Sequence, residues 1–446
     1  MKEQPTTFLE RNSLVIKIIV IGFLSLILLI PMQMIRSLIM ERKERQNEAL
    51  QDITSSWAGS QQITGPLLMV PYTYSEYDAE KQKQNLYKGQ KWFLPEDLKI
   101  EAHVVPEIRK RGLFKVVVYT TVVQLEGYFN EPRFDQENSN LQADWQNAFG
   151  IIGISELRGI KEPVKFTWNE KSKPSTSGAS FASIKSGIII KDLIEKPEPD
   201  KKYHFTAEIH LNGSQSISFA STGKITRARV TSTWNNPGFD GAFLPATHDV
   251  HDEGFTAEWQ VLELNRNYAQ QGTHDNINFD ASAFGVSLLI PVETYLVTER
   301  SMKYAILFIL LTFSLFFFIE TLKKLKVHPV HYALVGLGLI LFYLLLLSLS
   351  EHIGFGPAYL IASAGIIGMI GTYSRAIFKN KSITLLMLVY MTIIYSILFV
   401  LLQLQDYALL VGSIMLFIIL GVFMYFSGKI DWYRSGAGAT TINDAP

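Results

Sequence analysis

The chain has 446 residues, 48% hydrophobic and 18% charged, with Lys+Arg and Asp+Glu both at 41 and no cysteine. Zero formal charge argues against a nucleic-acid binder, and 28 Phe, 19 Tyr and 7 Trp exclude an acidic disordered chain. Without cysteine there is no disulfide framework, thiolate nucleophile, iron–sulfur cluster or Cys-ligated zinc.

The averages conceal two unlike regions. Ile18 to Met34 is an almost unbroken apolar run, interrupted at its near edge by Lys17. About 20 helical residues cross one bilayer, so the run reads as a span. It is too long for a signal-peptide core, lacks an Ala-x-Ala exit and continues into Arg36 and Glu41–Arg45, which makes it an uncleaved signal anchor.

Beyond it, Ala49, Leu50, Ile53 and Trp57 form the stripe of an amphipathic helix, ended by Gly59 and then Gly65-Pro66. Strand signals follow. Leu67–Val70 and Leu113–Leu125 are β-branched and aromatic runs, the second continuous enough for burial on both faces. A short helix is expected over Asn140–Phe149. Phe205, Ala207, Ile209 and Leu211 alternate with polar residues, and Ile217 and Phe219 resume the alternation after Asn212-Gly213, a hairpin signal. Gly223 to Trp234 reads as a further strand with Arg227 and Arg229 on a solvated face. Lys171–Ser180 and Lys196–Lys202 are turn-rich breaks, which leave open whether the domain is one lobe or two. The expected body is a mostly-β sandwich with a few helices.

After Arg300 come five more apolar stretches, Tyr304–Leu322, Tyr332–Leu349, Ala358–Ser374, Ile383–Gln403 and Tyr407–Ser427, each long enough to span. The fold class is therefore a membrane protein with six transmembrane α-helices, one N-terminal and five C-terminal, and a large β-rich domain between the first and second. The expected divisions are 1–38, 39–301, 302–428 and a tail of 429–446. Lys323, Lys324 and Lys326, then Arg375, Lys379 and Lys381, then Lys429 and Arg434 fall in alternate connections. The loops Glu351–Pro357 and Leu404–Asp406 contain no cation. The basic side is cytoplasmic, with both termini, and residues 40–300 lie across the membrane. Arg36, Arg42, Lys43 and Arg45 oppose this orientation, but long domains translocate largely regardless of charge.

Candidate chemistry is sparse. His248-Asp249-Val250-His251-Asp252-Glu253 packs potential metal ligands together, with His248, His251 and Asp252 the weak candidates. Its His-x-x-His spacing is not the zinc-protease one, Pro245 and Gly254 bracket it, and a polar turn explains it equally well. Ser221-Thr222-Gly223-Lys224 has the Ser-x-x-Lys spacing without its companion elements. There is neither a Gly-x-Ser-x-Gly elbow nor a phosphate loop, so no catalytic residue, cofactor or metal is assigned. Glu320, Glu351 and His352 are candidate functional residues at the membrane boundary, and Asp406 lies in the last outer loop; none is mid-membrane. Ala364, Gly365, Gly368 and Gly371 give the fourth span a small-residue face suited to close helix packing.

The chain resembles the CreD family of bacterial inner-membrane proteins from about Gln61 to Gly356. The likeness rests on Gly65-Pro66 with Pro71-Tyr72, Leu94-Pro95-Glu96, and Pro106-Glu107 with Arg109 and Arg111-Gly112-Leu113-Phe114. It continues through Trp234, Pro237, Phe239-Asp240-Gly241, Leu244-Pro245, Gly254-Phe255 and Trp259. Phe284-Gly285-Val286, Pro291-Val292-Glu293-Thr294-Tyr295, Arg300, Lys303-Tyr304, Leu307-Phe308, Glu320, Phe342-Tyr343-Leu344 and Ser350-Glu351-His352 complete it. The resemblance implies a periplasmic domain between one span and a C-terminal bundle, and a link to envelope integrity, stress response and β-lactam response. It carries over no catalytic residues.

The expected function is a non-enzymatic envelope protein whose periplasmic domain binds or senses an envelope component. Its partners would be membrane lipid, envelope proteins or cell-wall components, with no nucleic acid. A lipid or small-molecule transporter using Glu320, Glu351 and His352 is the alternative, and a metal-dependent hydrolase using His248 and His251 the next. The opening neutrality is an average. Residues 40–300 hold 28 Lys and Arg against 34 Asp and Glu, whereas the remainder hold 13 against 7.

Overall fold

The computed structural model describes residues 13–78, 83–134, 141–179, 181–274, 276–290, 294–323, 325–404 and 407–429. The chain divides into two compact units, Asn47–Pro291 and Met1–Gln46 with Val292–Pro446.

The first unit is a β-sandwich. One sheet runs in the order Pro237–Gly241, Ala283–Leu288, Ser216–Ala220, Gln61–Asp78, Phe149–Ile154, Gly187–Ile190, Ser175–Ser177, with Lys83–Phe93 beside the far half of Gln61–Asp78. The other runs Thr247–His251, Gly254–Leu262, Ile225–Ser232, Asp97–Arg111, Phe114–Phe129, Tyr203–Ser214, Lys165–Trp168, Lys171–Lys173. The alternation in Tyr203–Ser214 does what a period of two must: Phe205, Ala207, Ile209 and Leu211 all point into the core between the sheets. Ile63, Leu68 and Val70 reach the same core from the opposite sheet. Leu67 and Met69 face the other way and are equally buried, in a second cluster with Trp92, Ile151, Phe181 and Phe279. Hence the unbroken run Leu67–Val70: that strand is covered on both sides. In Phe114–Phe129, continuous burial holds only over Val116–Tyr119, and alternation takes over beyond.

Three local expectations are corrected. Asn212-Gly213 makes no hairpin; both residues lie inside a ladder, opposite Thr120 and Tyr119. The chain leaves one sheet for the other at Gln215, whose φ is +63°. Glycine is required at 213 because a Cβ there would lie 2.3 Å from the Tyr119 ring. The helix expected over Asn140–Phe149 is instead a strand Leu141–Ala143 and a single 3-10 turn Trp145–Asn147, capped by Asp144; Asn140 lies outside the described residues. Gly65-Pro66 sits within a strand, and the preceding helix stops at Trp57. The question of one lobe or two is answered by the sandwich being one compact unit across the turn-rich breaks.

The second unit is helical: α1 (Ser13–Ile27), α2 (Leu29–Trp57, leaving the unit after Gln46), α3 (Thr294–Lys303), α4 (Ala305–Leu322), α5 (Pro329–Ile353), α6 (Phe355–Phe378), α7 (Lys381–Gln403) and α8 (Ala408–Ser427). Six helices among the described residues are long and apolar enough to cross a membrane, with α1 and α2 forming the first. Two of the starts have a local cause. His328 caps α5 with Pro329 in its first turn, and the Asn380 side chain accepts from the backbone of Ser382 and Ile383 to open α7. Gly354, at φ +81°, alone separates α5 from α6, a turn few other residues accept.

The small-residue face of α6 does not pack as expected. Ala364, Gly365 and Gly368 are exposed, and only Gly371 is held close, against Leu388. The tight crossing lies elsewhere, at Gly336 of α5, where a Cβ would meet Leu28 at 2.2 Å and Phe313 at 2.9 Å. The short helix α3, placed by sequence in the β-rich domain, belongs to this unit, with Thr298, Ser301 and Met302 buried.

Candidate functional site

The helical unit buries two carboxylates, each held by donors from distant parts of the chain. Glu320 lies in the last turn of α4, where the helix dipole disfavours a negative charge, and is only 2% exposed. Its compensation is threefold. The Lys17 ammonium of α1 donates to it, as do the backbone N–H of Val327 at 2.7 Å and the Tyr332 hydroxyl of α5 at 3.0 Å. A buried carboxylate persists when paired and hydrogen-bonded in this way. The result ties α1, α4, the connection after α4, and α5 together.

Glu351 closes the far end of α5. It accepts from the Tyr295 hydroxyl of α3 at 3.0 Å and lies 3.7 Å from Arg42 Nε of α2, its side chain 8% exposed. Burial, with the neighbouring carboxylate, holds the Tyr295 phenol well above its ordinary value, so it remains a donor. His352 is exposed. Asp406 and Lys324 lie outside the described residues.

Sequence grouped Glu320, Glu351 and His352 as one path. The structure places the two carboxylates at opposite ends of α5, with Tyr332 and Glu351 about 28 Å apart along the helix. Between them the bundle is packed with rings: Phe342 meets Tyr395 at 4.7 Å and Tyr359 at 5.4 Å, and the Tyr359 hydroxyl donates to the Tyr395 carbonyl. A crevice of about 200 Å³ between α4, α7 and α8 is lined by Tyr304, Phe308, Leu398, Leu401 and Gly412, without a carboxylate. Nothing in the sequence pairs Lys17, Tyr295 or Arg42 with these acids. The usable signal was Lys17 itself, a cation in an apolar run, opposite the lone acid of α4.

The sandwich does not assemble its candidates. His248 and His251 lie on the edge strand Thr247–His251, every residue of which is exposed. Residues three apart on a strand face opposite ways. His248 packs its ring on Phe239 at 5.2 Å, while Asp252 follows in the turn to Gly254. Among the described residues no three His, Asp or Glu come together as a metal group. Ser221 is fully buried, whereas Lys224 points out to Glu96 at 3.4 Å, so the Ser-x-x-Lys pair is not a catalytic couple. What Ser221 contributes is its carbonyl. With that of Thr222 it accepts from the buried Arg266 guanidinium, each at 3.0 Å, and Arg266 lies over the Tyr268 ring. Burial pulls the Arg266 pKa below its ordinary value. Arg227 and Arg229 are exposed on the solvated face, paired with Asp97 and Glu258.

Comparison with known proteins agrees with this architecture. The family described as inner membrane protein CreD matches residues 13–433. Inner membrane protein CreD of Escherichia coli (strain K12) is 33% identical over 420 residues, covering 92% of this chain and 91% of its own. The chain belongs to the CreD family of inner membrane proteins.

Proposed function

We propose that this member of the CreD family is a non-enzymatic protein of the cell envelope. Its β-sandwich, on the periplasmic side, binds or senses an envelope component, while the helical unit anchors it and relays to partners. The observation that carries this reading is the state of the buried carboxylates. Glu320 and Glu351 are both engaged, at opposite ends of α5, with packed aromatics between them, which makes them struts rather than steps of a path. A transporter built on them would need them to share a route.

The orientation rests on the distribution of cations. Lys323, Lys326, Arg375, Lys379, Lys381 and Lys429 lie at alternate connections, and the tight α5–α6 turn carries none. The Lys17–Glu320 pair adds support, because it sets the start of α1 at the same end of the bundle as the basic end of α4. Both termini are then cytoplasmic.

Photo-crosslinking in cells from exposed sandwich positions, Leu86 and Leu244, tests the reading. The expected result is a reproducible adduct with an envelope protein or cell-wall component. Silence at both positions, together with loss of an envelope phenotype on replacing the exposed His352 by alanine, would sink it in favour of transport.

A further inference from the structure

The acids of the sandwich are unevenly spread. From Thr231 to Asn265 the chain carries six, Asp240, Asp249, Asp252, Glu253, Glu258 and Glu263, and not one Lys or Arg. The fold lays this stretch along one side of the sandwich, where Pro237–Gly241 ends one sheet and Thr247–His251 ends the other. Residues 242–246 join the two edges, and the Phe239 and His248 rings meet across them at 5.2 Å. Glu258 is answered by Arg229 at 3.5 Å. Among the described residues no cation pairs with Asp240, Asp249, Asp252 or Glu253.

The edge Thr247–His251 is open in its backbone as well. It pairs with Gly254–Leu262 on one side, through the turn Asp252-Glu253 that sets His251 opposite Gly254. In such a two-residue hairpin the closing pair exchanges both its bonds, and bonded and non-bonded pairs alternate from there. Thr247, Asp249 and His251 therefore bond to the neighbouring strand, while His248 and Val250 turn their N–H and C=O outward. Among the described residues no backbone group takes them up. Side chains alternate too. His248 and Val250, opposite the buried Ala257 and Phe255, lie on the core side, and Thr247, Asp249 and His251 lie on the solvent side. Two apolar side chains are left in water here, Val250 at 43% exposure and Leu244, in the connection before the strand, at 75%.

Charges on an open edge guard it against pairing with other chains, and charges of one sign do so selectively. A second copy of this edge is refused: the two-fold register that uses all four outward groups sets the two copies' Asp249 side chains against each other. A cationic strand is admitted. We propose that Thr247–His251 receives an extended basic polypeptide segment as an added strand. Lys or Arg on one face of that segment meets Asp249, and apolar residues on the other settle beside Val250. The outward groups of His248 and Val250 supply the hydrogen bonds, and the acids select the partner. The proposal rests on the reading that the sandwich binds an envelope component, and it gives that component's class.

The test is fluorescence anisotropy of a labelled peptide alternating lysine and valine, titrated with the full chain in a non-ionic detergent. Binding should saturate and weaken with added salt. Asp249→Asn should weaken it about threefold. Val250→Pro should weaken it about tenfold, because proline there deletes an outward N–H and leaves the ladder to Gly254–Leu262 intact. Methylating the backbone nitrogens of the peptide should do the same with the protein unchanged, which keeps the test alive if Val250→Pro fails to fold. Absence of binding overturns the proposal. So does binding indifferent to both Val250→Pro and methylation, which would mark charge attraction alone. A chain that dimerises through this edge, with the dimer lost in Val250→Pro and the peptide unbound, overturns it too. Crosslinks in cells from Leu86 with no peptide bound strike this inference and leave the wider reading standing. Peptide binding upholds the edge even where crosslinking from Leu86 and Leu244 fails that reading.

Discussion

The two units treat charge in opposite ways. The sandwich wears its ion pairs outside: Arg227 with Asp97, Lys165 with Glu208 and Arg133 with Asp200 all keep at least one side chain half exposed. Exposed pairs contribute about 0–1 kcal/mol each, so that unit depends on apolar burial. The helical unit buries Glu320 and Glu351, and every partner they have matters, because an uncompensated ion in such surroundings costs several kcal/mol. The difference lies in where water is available to share the work. In a sandwich the core is apolar by alternation and the charges can leave it. In a packed bundle a charge has only its protein partners.

The largest expected effect breaks the sandwich where it is strongest. Phe205 is 1% exposed, with the rings of Phe129 and Phe166 within 6.5 Å. Phe205→Ala should cost about 3–5 kcal/mol. Unfolding of the full chain followed by its β signal measures it, and a loss near 1 kcal/mol would mean that this face is not core.

Next comes the strut. Lys17→Met leaves Glu320 short of its cation and should destabilise the helical unit by about 2–3 kcal/mol, less than a fully buried pair because Lys17 is 35% exposed. Adding Glu320→Met should restore most of the loss, since apolar replacement of a buried pair is often neutral. A double variant no better than the single would show that Tyr332 and Val327 carry the site without the lysine.

A smaller effect is expected at Gly213→Ala, about 1–3 kcal/mol, from the collision with Tyr119. This position also shows where sequence is legible. The alternation in Tyr203–Ser214 is visible because burial on one face imposes it residue by residue. Asn-Gly normally signals a hairpin, but here glycine answers a ring from the neighbouring strand, and nothing local distinguishes the two uses. The spans could be read for the same reason as the strands, since lipid, like a core, selects each residue independently. The carboxylates themselves were visible as rare charges. Their partners were not, because Lys17 and Glu320 are 303 residues apart and only the fold brings them together. The His248–His251 cluster shows the reverse: side chains close in sequence lie on opposite faces of an edge strand.

The smallest effects test the exposed pairs. Arg227→Ala should change stability by less than about 0.5 kcal/mol. Glu208 adds a pH dependence whose sign is fixed by its neighbours. The hydrogen bond from Lys165 first, and then that from His210, hold its carboxyl below the ordinary 4.5. The folded state therefore binds the proton less readily than the unfolded chain does. The contribution is fully present above the ordinary value and disappears as pH falls through the lowered one. Below about pH 5 the gap between Glu208→Gln and the parent should accordingly shrink as pH falls, and the two should converge in acid. Denaturant midpoints across that range measure the gap. A gap that widened as pH fell would mean that Glu208 is protonated more easily in the folded sandwich, and that its pairing with Lys165 does not persist in solution.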